Sequence, residues 1–267
     1  MASMTGDAVT LLADDEPPAF TVVNPGGSSP FLLTADHAGR LIPRALGDLG
    51  ISASDMDRHI AWDIGIDAVT RKLAQALDAT AVLQNYSRLV IDCNRQPNVP
   101  SAFPTVSEAT RIPGNEGLDE AAKLSRRRAI FDPYHAEIGG LIKERAGQGV
   151  IYVAMHSFTP VYLQIVRGMH VAVLYNRNPH ASQLLAGLLR QETGLVVGEN
   201  DPYQVTDETD YGVPVHAEGH GLEYLEIEIR QDLIEEARGQ SEWVERMARL
   251  LPNVAERIFT TGSLAKP

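Results

Sequence analysis

The run Ile151-Tyr-Val-Ala-Met155 limits the fold of this chain more than any other stretch. It is unbroken and apolar, and it lies between Gly149 and Pro160. A run this short, apolar on both faces, predicts a central strand in a sheet that is covered on both sides. It stops abruptly and delivers His156, Ser157 and Thr159. In open α/β sheets ligands bind in the crevice outside the carboxyl ends of the strands, so a site is expected at that end.

Other runs end the same way. Phe31 to Ala35 predicts a second buried strand, finishing in Asp36 and His37. Thr80–Leu83 and Leu89–Ile91 read as paired strands around Asn85-Tyr-Ser87, the second leading into Asp92-Cys-Asn94-Arg95. Ala19–Val23, His170–Tyr175 and Leu195–Val197 add three shorter strands. Glu223–Arg230 alternates, with Leu225, Ile227 and Ile229 on one face and Glu226 and Glu228 on the other. Helical spacing runs from Asp63 to Leu77, with Asp63 in the first turn, and from about Leu118 to Arg145, with a break near Asp132-Pro133. Two further helices are expected over Ala181–Thr193 and Glu242–Ile258.

Strands alternating with helices, without a repeat or a composition break, predict one α/β domain over residues 1–267. Its 44% hydrophobic content is enough for one large core. Residues 1–18 are acidic at Asp14, Asp15 and Glu16 and are expected to be a flexible N-terminal segment. The proline-rich stretch 96–117 is too long for an idle connection, and it is expected to form a lid or pocket wall.

Charge narrows the partners. With 23 Lys+Arg against 35 Asp+Glu the net charge is −12, which repels phosphates and argues against nucleic acid or an anionic membrane surface. A small acidic substrate remains compatible where arginines cluster locally. The single cysteine, Cys93, excludes an intrachain disulfide and a Cys-rich zinc knuckle, and fits a reducing cytoplasm. The first twenty residues lack the basic start and apolar core of a signal peptide. No apolar run approaches the roughly 20 residues a membrane helix needs, so a soluble, cytoplasmic protein is expected.

The common phosphate-loop, dinucleotide, nucleophile-elbow and H-E-x-x-H patterns are absent. What remains is a scatter of His and carboxylates at strand ends. One buried His is more often a satisfied core group than a ligand. Two, His37 and His156, at strand ends that a parallel sheet brings together, shift that balance towards metal. A catalytic zinc takes about three protein ligands and an open water position, and Asp63 is either the third or simply an acid favoured at a helix N-terminus. Glu228 is either the solvated face of an edge strand or the general base beside such a water. Arg88, Asn94 and Arg95 flank one strand, and an arginine fork suits a carboxylate. Ser157 and the glycine-flanked His220 are further candidates at the pocket.

The segments Asp36-His37-Ala-Gly-Arg-Leu-Ile-Pro43, His59-Ile-Ala-Trp-Asp63-Ile-Gly65, Ser87-Arg88-Leu-Val-Ile-Asp92-Cys-Asn94-Arg95, Met155-His156-Ser157-Phe-Thr159-Pro160 and Gly219-His220-Gly-Leu with Glu228-Ile-Arg230-Gln-Asp232-Leu resemble the N-formylglutamate amidohydrolase family. They occur in order from about residue 30 to 235. The family is similar in fold to zinc carboxypeptidases and peptidoglycan amidases. That implies a three-layer, phosphorylase/hydrolase-like architecture, with a mixed, mostly parallel sheet and helices on both faces.

By the same resemblance His37 and His156 would bind Zn2+ or another divalent ion, Asn94-Arg95 would hold a substrate carboxylate, and Glu228 would be the catalytic glutamate. Carboxypeptidases take a second ligand three residues after the first His, and here that position is Arg40. The amidases use an acid at the start of the next helix, which points to Asp63, with Asp36 and His59 as reserves. The implied reaction is hydrolysis of an N-acyl amino acid, foremost N-formyl-L-glutamate to formate and L-glutamate, as in histidine degradation. A metal-free relative that only binds an acidic metabolite, and a hydrolase of some other acyl amide, are the alternatives.

Overall fold

Seven strands form one sheet through the middle of the chain, which a computed structural model describes over residues 11–264, the side chains of 261–264 excepted. We number them β1 (Phe20–Val23), β2 (Phe31–Ala35), β3 (Thr80–Gln84), β4 (Ile151–Phe158), β5 (Val171–Leu174), β6 (Val197–Glu199) and β7 (Glu223–Arg230). Their order across the sheet is β1-β3-β2-β4-β7-β5-β6. Pairing is parallel at β3/β2, β2/β4, β4/β7 and β5/β6, and antiparallel at β1/β3 and β7/β5. Strand β4 is central and all eight of its residues are buried.

Helices cover both faces. Val153 and Met155 of β4 share a core with α1 (Ile66–Ala76), α3 (His180–Leu189) and α4 (Ala237–Leu264). Tyr152 and Ala154 face the other way, onto a core that includes Tyr134, Ile138 and Leu141 of α2 (Asp132–Glu144). This two-sided covering is the reason β4 reads as a continuous apolar run and not as an alternating one. The mixed, mostly parallel sheet with helices on both faces is the predicted architecture.

Three local expectations need correction, and one, the helix break, takes a particular form. Leu89–Ile91 is not a strand but a buried turn, because β1 and β2 already occupy both edges of β3. The Ser87 hydroxyl accepts from the Leu89 amide, and its carbonyl accepts from Val90, so the chain turns back at once. Helix α1 starts at Ile66 and not at Asp63, which lies in the turn before it, where its carbonyl accepts the Ile66 amide. The predicted break falls just upstream of Pro133: residues Arg127–Phe131 form a π-helical segment, which accommodates a proline without an amide proton in the following turn. Glu226 and Glu228 lie on an interior strand and are both buried, so β7 has no solvated edge face.

Of the N-terminal segment expected to be flexible, residues 1–10 lie outside the described residues. From Leu11 on the chain is tied down: Leu11 is buried, Tyr86 Oη donates to the Pro17 carbonyl, and Asn85 Nδ2 donates to that of Pro18. No described helix is long and apolar enough to cross a membrane.

Gly65 fixes how α1 leaves the Asp63 turn. Its φ is +83°, and a Cβ there would stand 2.2 Å from the Ile234 carbonyl oxygen. We expect Gly65→Ala to cost at least about 2 kcal/mol, from the left-handed backbone and the clash together, measured by urea unfolding.

Candidate active site

The parallel register of three neighbouring strands assembles the site. β7 pairs with β4 so that Glu228 lies opposite His156, and β2 pairs with β4 through Thr34 and Ala154. β2 ends at Ala35, and the turn that follows carries Asp36 and His37 to the end of β4. The His37 and His156 rings lie 5.2 Å apart between centroids, at 66° to each other. The loop before α1 closes the group: the Asp63 amide donates to the His37 carbonyl at 2.9 Å, and the Ser157 amide to Asp63 Oδ2 at 3.2 Å.

Each imidazole uses one nitrogen on a buried carboxylate. His37 Nε2 lies 2.8 Å from Asp92 Oδ1, and His156 Nδ1 lies 3.0 Å from Asp63 Oδ2. The other nitrogens converge on Asp36: His156 Nε2 and His37 Nδ1 stand 3.4 and 3.8 Å from its Oδ1. Both Asp36 Oδ1 and His156 Nε2 are buried without a hydrogen-bond partner. Buried polar atoms are seldom left so, and two facing orphans on residue types that ligate metals fit a cation between them. Asp36, His37 and His156 offer ligand atoms within 4.8 Å of one another. A histidine that gives its second N–H to a carboxylate is the usual setting of a metal-bound imidazole. Asp63, the predicted third ligand, stands 3.6 Å from His37 Nδ1 and is the near alternative to Asp36.

The charges agree with that fit. Burial and the nearby Arg88 work against protonation of His37, yet Asp92, Asp36 and Asp63 hold its pKa up at about 9. For His156 burial is likewise outweighed, by Asp36 and Asp63, and the imidazolium is strongly favoured. The carboxylates therefore demand positive charge at this spot, which protons supply here and a divalent ion would supply by displacing them. Burial would raise the carboxyls of Asp63 and Asp92, but the former is held below the usual range by the two histidines and the latter chiefly by Arg88 and His37. Glu228 goes the other way: burial, opposed by His156, pushes it up to about 7, and its Oε2 has no partner. Deeper in, burial and then Asp210 push Glu226 well above the carboxylate range.

Above these groups opens a cavity of about 370 Å³, lined among others by His37, Asp63, Arg88, Arg95, His156 and Glu228. Ser107 and Glu108 from the proline-rich loop form one wall, and Tyr203, Gln204 and Asp210 from the loop after β6 form another. His59 sits in this lining, 3.8 Å from Glu108, and burial lowers its pKa. It lies outside the metal-ligating group.

Asn94 and Ser157, two predicted substrate contacts, line the cavity and also brace it, while a third, His220, lies elsewhere. Asn94 accepts the amides of Tyr211 and Gly212 and donates to Asp210 Oδ1, so its amide organises the 204–212 loop. The Ser157 hydroxyl donates to the Ile64 carbonyl at 2.8 Å and so braces the Asp63 turn. His220 is exposed beside Gly149 and Ile151, at the amino ends of β4 and β7, one sheet length from the pocket. Its flanking glycines mark a turn into β7, not a close approach to ligand.

Arg95 half-faces the cavity and donates to the Asn94 and Thr209 carbonyls. Arg88 Nη2 donates to Asp92 Oδ2 at 2.8 Å, and Nη1 lies 3.6 Å from Asp63. Asp92 joins His37 to Arg88 and had no role assigned from sequence; its signal was the i,i+4 spacing from Arg88 across the buried turn. His135 and His216 are scaffolding. A carbonyl only accepts, so His135 Nε2–H donates to Cys93 O, and its Nδ1 accepts from His216 Nε2–H at 2.9 Å. Burial keeps both imidazoles neutral, His216 with a pKa of about 4.

A buried carboxyl, two imidazoles and two arginines thus gather at the carboxyl ends of a mostly parallel sheet, where α/β enzymes place their chemistry. The N-formylglutamate amidohydrolase family model matches residues 29–235, and the chain belongs to that family. Among solved structures, the Agrobacterium tumefaciens gene product Atu2144 is 36% identical, with a TM-score of 0.89 over 93% of this chain and 99% of its own. N-formylglutamate amidohydrolase from Ralstonia eutropha JMP134 shares the fold at 20% identity, with a TM-score of 0.65 over 92% of this chain and 100% of its own. No curated protein matches the sequence at a significant level.

We expect Asn94→Ala to leave three partners of the 204–212 loop unmet and to cost about 1–3 kcal/mol. Limited proteolysis should then cut within 204–211 much faster than in the parent protein.

Proposed function

We propose that this protein is a metal-dependent amidohydrolase of small N-acyl amino acids, with N-formyl-L-glutamate plus water giving formate and L-glutamate. The observation that carries the reading is Glu228: a buried carboxyl of pKa about 7, with a free oxygen, level with His156 and open to the cavity. Family membership supplies the reaction class, hydrolysis of a linear amide.

His37 Nδ1, His156 Nε2 and Asp36 would hold the metal, with Asp92 and Asp63 orienting the two imidazoles. A zinc ion bound there supplies Lewis acidity and lowers the pKa of a water. Glu228 takes a proton from the attacking water. As the water oxygen bonds to the acyl carbon and the C–N bond breaks, Glu228 delivers that proton to the leaving nitrogen. Burial works to raise the Glu228 carboxyl above the ordinary carboxylate range, which favours it as a proton acceptor. Arg88, held by Asp92 and Asp63, brings fixed positive charge to the cavity to offset charge that gathers on the acyl oxygen. Arg95 has guanidinium donors left for a substrate carboxylate.

Glu228→Gln keeps shape and hydrogen bonding but removes the base. Its kcat for formate release from N-formyl-L-glutamate should fall by about 10²–10⁴-fold, and a variant within a few-fold of the parent would rule Glu228 out. The third ligand is separable by metal analysis. Asp36→Asn should lose stoichiometric zinc, whereas Asp63→Asn, which only releases the His156 ring, should weaken binding about 10–100-fold. The reverse ranking would assign the ligand to Asp63.

A further inference from the structure

Arg126, the last residue of the short helix Glu120–Arg126, is 2% exposed and meets no carboxylate among the described residues. Its Nη1 donates to the Val90 carbonyl at 3.0 Å and to Asn115 Oδ1 at 2.6 Å, and its Nη2 to the Gly114 carbonyl at 2.9 Å. Asn115 is buried too, and its Nδ2 donates to the carbonyls of Leu89 and Pro104, both at 2.8 Å. The Asp92 amide donates to the Ala102 carbonyl at 2.8 Å. The buried turn between Arg88 and Asp92 therefore has its Leu89 and Val90 carbonyls and its Asp92 amide held by the stretch 102–126.

Buried carbonyls need donors, but neutral donors would satisfy them without the cost of burying a charge. Burial pulls the Arg126 pKa down to about 10, so the group still stays charged at neutral pH. What a guanidinium adds is rigidity: its planar fork donates in fixed directions to two chain segments at once, and the charge strengthens each bond. One of those segments carries Arg88 and Asp92. The other, through Pro104, Gly114 and Asn115, is the proline-rich loop whose Ser107 and Glu108 wall the cavity. Asp92 tolerates little displacement, since its Oδ1 lies 2.8 Å from His37 Nε2 and its Oδ2 lies 2.8 Å from Arg88 Nη2. Arg126 itself does not line the cavity.

We propose that Arg126 is a positioning residue for this site: through the Val90 carbonyl and Asn115 it fixes the Arg88–Asp92 turn, and through Gly114 it sets that turn against the cavity wall. A misplacement of about 1 Å that originates far from the chemistry can cost about a hundredfold in rate, so a clamp on this turn is felt at His37. The proposal rests on the amidohydrolase reading for its zinc and turnover arms only.

Arg126→Met keeps much of the volume and removes every donor, Arg126→Lys keeps the charge, and Arg127→Gln, at the exposed neighbour paired with Asp132, is the control. Hydrogen exchange read by mass spectrometry needs neither metal nor substrate. In Arg126→Met, peptides spanning 87–95 and 104–116 should exchange at least about tenfold faster, while those of β4 and β7 keep the parent's rates. Equal acceleration along the whole chain, or none at the turn, would overturn the proposal. The zinc Kd should rise about tenfold, and kcat/KM for N-formyl-L-glutamate should fall by about tenfold to a hundredfold, both partly restored in Arg126→Lys. A loosened turn with zinc affinity and turnover unchanged would make Arg126 structural only, and would overturn the proposal as well. Should the methionine variant fail to fold, Arg126→Lys carries the same comparison with smaller changes. A parent that binds no zinc and cleaves no N-acyl amino acid would sink the hydrolase reading, and the exchange pattern would still decide whether Arg126 holds the turn.

Discussion

Three buried aspartates and two buried imidazoles crowd against the guanidinium of Arg88 at the floor of the cavity. Isolated ionised groups cost several kcal/mol to bury, so each carboxylate is tolerated only through the positive partner it faces. Asp92 bridges His37 and Arg88, Asp63 bridges His156 and Arg88, and Asp36 meets both histidines with an oxygen that has no other partner. The network fixes ring orientation as well as charge. Each imidazole is turned by the carboxylate on one nitrogen, so that the remaining nitrogens point at the same oxygen.

Glu228 gains its chemistry by standing just outside that network. It has the burial of the aspartates without a bound cation of its own, so desolvation dominates and its pKa rises towards neutrality, while Asp63 and Asp92 are pulled down. One buried cluster thus holds carboxyls whose pKa is pulled down, Asp63 and Asp92, beside one whose pKa is pushed up, Glu228. Pushing titratable neighbours apart in this way is how acid–base roles are divided between residues of the same kind. The loops complete the arrangement from above, with Asn94 binding the 204–212 loop to the end of the Arg88–Asp92 turn.

The sheet was legible because its evidence is local. Apolar runs at β2, β4 and β5 and alternation at β7 each declare a strand within eight residues or fewer. Leu89–Ile91 misled because burial alone produces the same run. Whether such a run pairs depends on a free edge, and both edges of β3 were taken by distant strands. His37, His156 and Glu228 could be named because each ends or faces a strand visible in the sequence. His220 misled for lack of depth information, since a residue at the start of a strand and one at its end look alike without knowledge of where the site lies.

The sequence by itself determined the α/β class, the central strand and which residue types stop at strand ends, because hydrophobic period and strand length are properties of adjacent residues. Only the tertiary structure decided that Asp36 and Asp63 both face the two imidazoles, that Asp92 joins His37 to Arg88, and that Asn94 and Ser157 brace the loops around the cavity. Those outcomes depend on register between strands more than a hundred residues apart and on which partners remain after the nearer pairs have formed. No local pattern encodes either.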